Sequence, residues 1–247
     1  MPSVLLYAVP AVLVLGLEVF FVYKATANRK RARLFHDTPV VKVAELSPGP
    51  VQVQGRGVAL STPLVASLSG RPCVYYHFRV QEKRRHQRGP FGSSTYWKTV
   101  IDDAQCIACG VDDGTGVVDL DLQEAELVLR PDTEFRSGFW NDTPAELERT
   151  LNDRYGRSSK GLIFSKGMWY TETLIEAGDN LLVLGSWDVT PGGKWQFGKE
   201  DCPLIVSNKS QEALLSSYKR SALLWSALAA FLLLVPCLPL GLRLWLH

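Results

Sequence analysis

Two long apolar runs, one at each end of the chain, constrain this sequence more than any other feature. The first, residues 4–23, reads VLLYAVPAVLVLGLEVFFVY and carries one charge, Glu18. At about 1.5 Å per residue a helix of that length reaches roughly 30 Å, the thickness of a bilayer's hydrocarbon core. Ala25-Thr26-Ala27 resembles the A-x-A cleavage site of a secretory signal. A signal, however, has a basic start and a shorter apolar centre, and here a basic cluster follows the run instead. The second run, residues 222–242, carries no charge, has Trp225 and Trp245 near its ends, and contains Pro236 and Pro239. A buried core helix of this length would show a polar face, and this run has none. The expectation is a pair of transmembrane helices.

Orientation follows from the basic residues beside the runs. Lys24, Arg29, Lys30, Arg31 and Arg33 follow the first, Lys219 and Arg220 precede the second, and only Arg243 lies beyond it. That asymmetry predicts a two-pass integral membrane protein with its middle on the cytoplasmic side, the organelle intermembrane side being the alternative. The basic clusters would also meet anionic lipid headgroups.

The middle, residues 24–221, reads as β-rich. Residues 24–45 form a basic juxtamembrane linker, and residues 46–209 a domain. Val74, Tyr76, Phe78 and Val80 alternate with Tyr75, His77 and Arg79, and Val118, Leu120 and Leu122 alternate with Asp119 and Asp121. Such period-two patterning marks strands. Turn signals separate them at Ser47-Pro48-Gly49-Pro50, Asp113-Gly114, Gly178-Asp179 and Pro191-Gly192-Gly193. The fold class is therefore mainly β, an antiparallel barrel or sandwich of OB-like type, with one inserted amphipathic helix and the two flanking spans. That helix, residues 144–155, should start on a capping box with Thr143 as N-cap, Pro144 first and Glu146 third, and end at Gly156. Leu147, Leu151 and Tyr155 give it one apolar stripe. Another helix should begin at Ser210 and run through residues 210–246. Residues 81–94, QEKRRHQRGPFGSS, read as a long basic loop between two strands.

Cys106 and Cys109 form a single CxxC, and Cys73 and Cys202 stand alone. Structural zinc requires four soft ligands, which His36, His77, His86 and His247 do not complete by spacing. On a strand, positions three apart point to opposite faces, so a packed role fits the pair better than a redox one. Asp112-Asp113-Gly114-Thr115-Gly116 is a hairpin turn rather than a protease motif. No Walker loop, GxSxG or HExxH is present. The reading contains no catalytic, cofactor-binding or metal residues and no cofactor, and it points away from an enzyme. A net charge of +2 argues against nucleic acid.

An ordered set of short motifs carries a resemblance. Ser69-Gly70-Arg71-Pro72-Cys73-Val74-Tyr75-Tyr76 comes first, then Tyr96-Trp97-Lys98, then Asp113-Gly114-Thr115-Gly116. The capped helix, Tyr170-Thr171-Glu172, Ala177-Gly178-Asp179, Leu182-Val183-Leu184-Gly185 and Val206-Ser207-Asn208 follow. In this the chain resembles the GIDE, or "beside a membrane", domain of MULAN-like mitochondrial ubiquitin ligases. Its structural signature falls on Cys73, Tyr76, Asp113, Gly114, Thr115, Gly116, Glu172, Gly178 and Asp179. The resemblance implies organelle organisation and a ubiquitin-ligase relation, but the sequence ends at His247 without the eight Cys/His ligands of a RING finger. The expected role is thus an interaction or scaffold module beside the bilayer. The alternatives are a component of a RING-type ligase system, a thiol oxidoreductase, and an OB-like oligonucleotide or lipid binder. The candidate interaction surface is Arg71, Tyr75, His77, Arg79, Lys83, Arg84, Arg85 and Arg88. Expected partners are the membrane, a membrane or peripheral protein, and a second copy of the chain. Glu172, a charge in an apolar strand, is expected to pair with Arg79 or Arg71.

Overall fold

The computed structural model describes residues 2–88, 92–138, 141–160, 166–189, 195–198 and 203–234, without the side chains of 2–11, 87, 88, 92, 188, 189, 195–198 and 234. Along the chain come α1 (Pro2–Asp37), β1 (Gly49–Ala59), β2 (Leu64–Val65), β3 (Pro72–Cys73), β4 (Tyr75–Arg88), β5 (Gly92–Cys106), β6 (Cys109–Asp112) and β7 (Val117–Leu120). They continue with β8 (Glu126–Leu127), β9 (Thr133–Ser137), α2 (Ala145–Tyr155), β10 (Met168–Ile175), β11 (Asn180–Val189), β12 (Trp195–Gly198), β13 (Ile205–Ser207) and α3 (Gln211–Leu234). The chain divides into two compact units, residues 1–39 with 210–247, and residues 40–209.

The first unit is a helix pair. Ala25, Ala32, Ala222 and Ala229 are all buried, and the seven-residue spacing on each helix puts both alanines on one face. Small side chains there let the helices approach closely. Phe20 and Phe21 lie 5.9 and 5.6 Å from the Trp225 ring, while Phe35 stacks on Tyr218 at 5.8 Å, so the helices run antiparallel. Ser210 caps α3 through its hydroxyl, which accepts the Ala213 amide at 3.3 Å.

The sequence reading requires a correction at these helices. Among the described residues no helix is long and apolar enough to cross a membrane. This overturns the two transmembrane spans, and with them the two-pass topology and its cytoplasmic orientation. Among the described side chains of α1 the apolar stretch is interrupted by Glu18 and closed by Lys24, and the described charge-free stretch of α3 begins after Arg220. The side chains of residues 4–11, all of residues 235–242 with Pro236 and Pro239, and also Arg243, Trp245 and His247 lie outside the described residues, as do Pro191-Gly192-Gly193 and Cys202.

The second unit contains two larger sheets. One has the order β7-β6-β1-β11-β13-β8, with β12 also pairing β11. Its pairs are antiparallel except β13 with β8, which is parallel. β12 and β7 approach each other, so the sheet curls round one apolar face. Val51, Val53, Val111, Val118, Leu181, Val183 and Val206 fill that core. Gly55 permits the closest contact in the curl, since a Cβ there would stand 2.4 Å from the Asp112 carbonyl oxygen.

The smaller sheet has the order β5-β4-β10-β9, all antiparallel. Its inner face, with Tyr76, Phe78, Val80, Met168, Tyr170 and Leu174, packs against Leu147 and Leu151 of α2 and against the β2-β3 hairpin. Helix α2 ends at Gly156, whose φ of 59° is left-handed, and the Arg157 amide bonds back to the Leu151 carbonyl. The expected capping box does not form. Pro144 is the N-cap, and the Thr143 hydroxyl instead meets the Tyr170 hydroxyl at 3.0 Å. Glu148 turns inward to the segment after the helix, accepting Ser158 and Ser159 hydroxyls at 2.5 Å. Residues 81–94 also differ from expectation. Residues 81–88 and 92–94 are strand, since β4 continues to Arg88 and β5 starts at Gly92, and residues 89–91 lie outside the described residues.

Candidate functional site

The signature residues are built into the domain's internal bonds. Asp113 shows how. Its Oδ2 accepts the Val43 amide at 2.8 Å, and its Oδ1 accepts the Thr115 amide and hydroxyl at 2.8 and 2.7 Å. The Thr115 hydroxyl in turn accepts the Ala44 amide at 3.2 Å. Gly114 supplies the left-handed φ of 85° that the turn needs. A Cβ on Gly116 would stand 2.9 Å from Val43. The DGTG turn therefore fastens the segment entering the domain onto the edge of the larger sheet.

Burial pushes the Asp113 carboxyl up, but the bonds from Thr115 and Val43 and the charge of Lys42 outweigh it and hold the group at about 2. A carboxyl held below its ordinary value contributes stability that is complete above about pH 4 and disappears as pH falls toward 2. Because the group is partly open to solvent, screening limits the contribution to about 1 kcal/mol. Asp113→Asn should remove that amount near neutral pH and flatten the acid-side slope. Urea midpoints measured across pH 2–5 check this, and an unchanged slope in the variant would refute it.

Glu172 is fully buried, yet among the described residues no arginine pairs with it. Its two carboxylate oxygens accept the Leu68 and Ser69 amides at 2.6 and 2.9 Å. Arg71 instead reaches Asp132 and Glu176 at 3.5 and 3.4 Å, and Arg79 reaches Asp102 at 3.3 Å. The expected pairing is thus corrected: backbone amides satisfy the charge. Tyr76 and Tyr155 both donate to Asp103, at 3.0 and 2.6 Å, and Arg154 donates to Tyr76 and to Ser67. Burial, then the bond to Asp103, pushes the Tyr155 hydroxyl up to about 12. Gly178, at φ 95°, donates to the Gly57 carbonyl, and the Asp179 carboxylate accepts the Glu176 amide.

Two of the cysteines, Cys73 and Cys109, are equally committed. Burial pushes the Cys73 thiol up to about 11 and the Cys109 thiol up to about 12, far from the thiolate a redox or nucleophilic role requires. Among the described residues no group of three or more His, Cys, Asp or Glu side chains could hold a metal ion.

What remains on the surface is the outer face of the smaller sheet. Alternation along β4 puts Tyr75, His77, Arg79, Lys83 and Arg85 on that face and Arg84 on the other, where it meets Glu82 at 2.9 Å. Tyr75 is half-buried against the larger sheet's core. His77 and Arg79 share Asp102, with the His77 contact at 2.5 Å, and those bonds hold the Asp102 carboxyl below its ordinary value. Arg71 belongs to the loop before β3, where it reaches Asp132 and Glu176, and the side chain of Arg88 lies outside the described residues.

The sequence reading missed the aromatic half of the face. Trp97 on β5 stands opposite Lys83, and its ring meets Trp169 of β10 edge-on at 5.9 Å. Arg136 of β9 covers the Trp169 ring at 4.3 Å. A bulge between Val80 and Gln81 sets this register. The available signal was the alternation of Thr95, Trp97 and Thr99, which is legible only once the register is known.

The sequence profile of the GIDE family, described as an E3 ubiquitin ligase, matches residues 79–241, and the chain belongs to that family. No curated protein and no solved structure matches it.

Proposed function

We propose that the chain serves a ubiquitin-ligase system as an interaction module that works beside a conjugating enzyme. The observation that supports this reading most directly is the division of labour in the second unit. The polar signature residues Asp113, Thr115, Glu172 and Asp179 are spent on backbone amides and turns, and Cys73 is buried. The outer face of the smaller sheet, by contrast, offers cationic and aromatic side chains to solvent. A ligase that transfers ubiquitin through a thioester needs a reactive thiol, and Cys109 is held protonated by its burial. The family match supplies the link to ubiquitin ligases, and the geometry supports binding as this chain's share of that work.

The test combines the purified full chain with ubiquitin-activating and conjugating enzymes, ubiquitin and ATP. The chain alone should form no ubiquitin conjugates and no thioester, and a crosslinked pulldown identified by mass should contain a RING protein or a conjugating enzyme. Conjugates formed by the chain alone and abolished by Cys106→Ser would overturn the proposal. So would a pulldown with neither class of protein.

A further inference from the structure

The pairing pattern of the smaller sheet leaves one long strand half-used. β4 pairs with β10 only as far as Glu82, with one further bond from the Lys83 amide to the Gly167 carbonyl at 2.7 Å. β4 and β5 then continue together to Arg88 and Gly92 as a two-stranded ribbon. β5 is the sheet's edge, hydrogen-bonded to β4 alone among the described strands. From Ser93 to Thr99 every β5 side chain is exposed, Tyr96 at 48% and Trp97 at 38%. Edge strands are usually blunted by prolines, inward-pointing charges or a covering element. Along residues 93–99 this one has no proline, no described strand covers it, and Lys98, opposite Glu82 on the other side of the sheet from Trp97, is its sole charge.

The charge on the ribbon is one-sided. Lys83, Arg85, His86 and Lys98 lie along it, and its one acidic side chain, Glu82, is already engaged by Arg84. Arg85 now rests on the Ser93 hydroxyl at 2.9 Å, a neutral partner that a carboxylate would displace. A strand added to β5 would lie about 4.8 Å from it and about 10 Å from β4. Lys83 and Arg85 stand opposite Trp97 and Thr95. Arg85 can therefore lean over the small Thr95 toward the incoming strand, with Lys83 beside the Trp97 ring.

We infer that the open edge of β5 accepts an extended, acidic polypeptide segment as an added strand, with carboxylates on alternate residues meeting Lys83 and Arg85 and an apolar side chain resting on Trp97. The inference rests on the reading of this chain as an interaction module and names the class of partner that the face takes. The free main-chain edge supplies affinity and the alternating side chains supply selectivity. A single-stranded nucleic acid fits less well. Stacking needs open ring faces, whereas Arg136 covers one face of Trp169, and Asp102 already engages Arg79 and His77 on the same side of the sheet.

The experiment titrates the full chain with a labelled short peptide alternating Glu and Val, its Lys-Val counterpart, a short oligothymidylate and phosphatidylserine vesicles, read by anisotropy and by Trp fluorescence. The Glu-Val peptide should bind at least about tenfold more tightly than the Lys-Val peptide, and the double variant Lys83→Glu, Arg85→Glu should weaken it by about tenfold or more. Two further Glu-Val peptides, each N-methylated at alternate residues in opposite phase, separate strand addition from simple charge attraction. One of them should lose binding about tenfold and the other should keep it, because only alternate amides of an added strand face β5. Equal binding of the two charge types, equal behaviour of the two methylated peptides, or binding of oligothymidylate or vesicles in place of the Glu-Val peptide would overturn the inference. Such a failure leaves the ubiquitin assay result untouched, so the two readings fall separately.

Discussion

Glu172→Ala is expected to lower the unfolding free energy by about 3–5 kcal/mol, the largest loss from any single polar side chain in the domain. The residue sits on the inner face of β10, between Tyr170 and Leu174, at zero exposure. Removing it leaves the Leu68 and Ser69 amides of a part-buried loop without their acceptor and opens a void beside them. Glu172→Gln keeps the shape but turns an amide NH₂ toward one of those donors, and should cost about 2 kcal/mol. Arg79→Ala, which breaks only an exposed pair with Asp102, should cost under about 1 kcal/mol. Urea denaturation of the three variants side by side checks the ranking. A Glu172→Ala loss below about 1 kcal/mol would mean that the two amide bonds do not hold the β2-β3 loop.

Leu151→Ala should cost about 3–4 kcal/mol. Leu151 has no exposed surface and is packed with Phe78, Tyr170 and Leu147 in the smaller sheet's core. Truncation loses both transfer free energy and the contacts around the resulting cavity. There is a second consequence. An eleven-residue helix is marginal in isolation, so α2 depends on this face for its existence. The variant should therefore lose helical signal in circular dichroism before the sheets unfold. A single transition at the original midpoint would refute the dependence.

The inner residues of this domain were legible because burial writes a period. Tyr76, Phe78 and Val80 alternate with polar neighbours, and they do face the core. The stripe Leu147, Leu151, Tyr155 placed α2 on a sheet for the same reason. The cap of α2 was not legible, since Thr143 and Glu146 at capping-box spacing fit two outcomes, and a tertiary bond to Tyr170 prevailed. Residues 81–94 read as a loop because their run of polar and charged side chains shows no apolar alternation to detect. Trp97 joined Lys83 only through the bulge at Val80, a register detail that local sequence does not encode. The end helices went the other way: apolar runs at 4–23 and 222–242 point to spans, but no helix among the described residues is long and apolar enough to cross a membrane.

A strand that starts inside a packed layer and finishes outside one carries a gradient of opening free energy along its own length. On β4 the amides near Phe78 have a strand on either side and a filled core behind them, so they yield only when the whole domain does. From Arg84 to His86 each residue has one described neighbour strand, and breathing there costs little. The two parts of β4 thus serve opposite needs: a rigid root that keeps its position, and a more compliant outer stretch that can stiffen on contact without disturbing the layers beneath it.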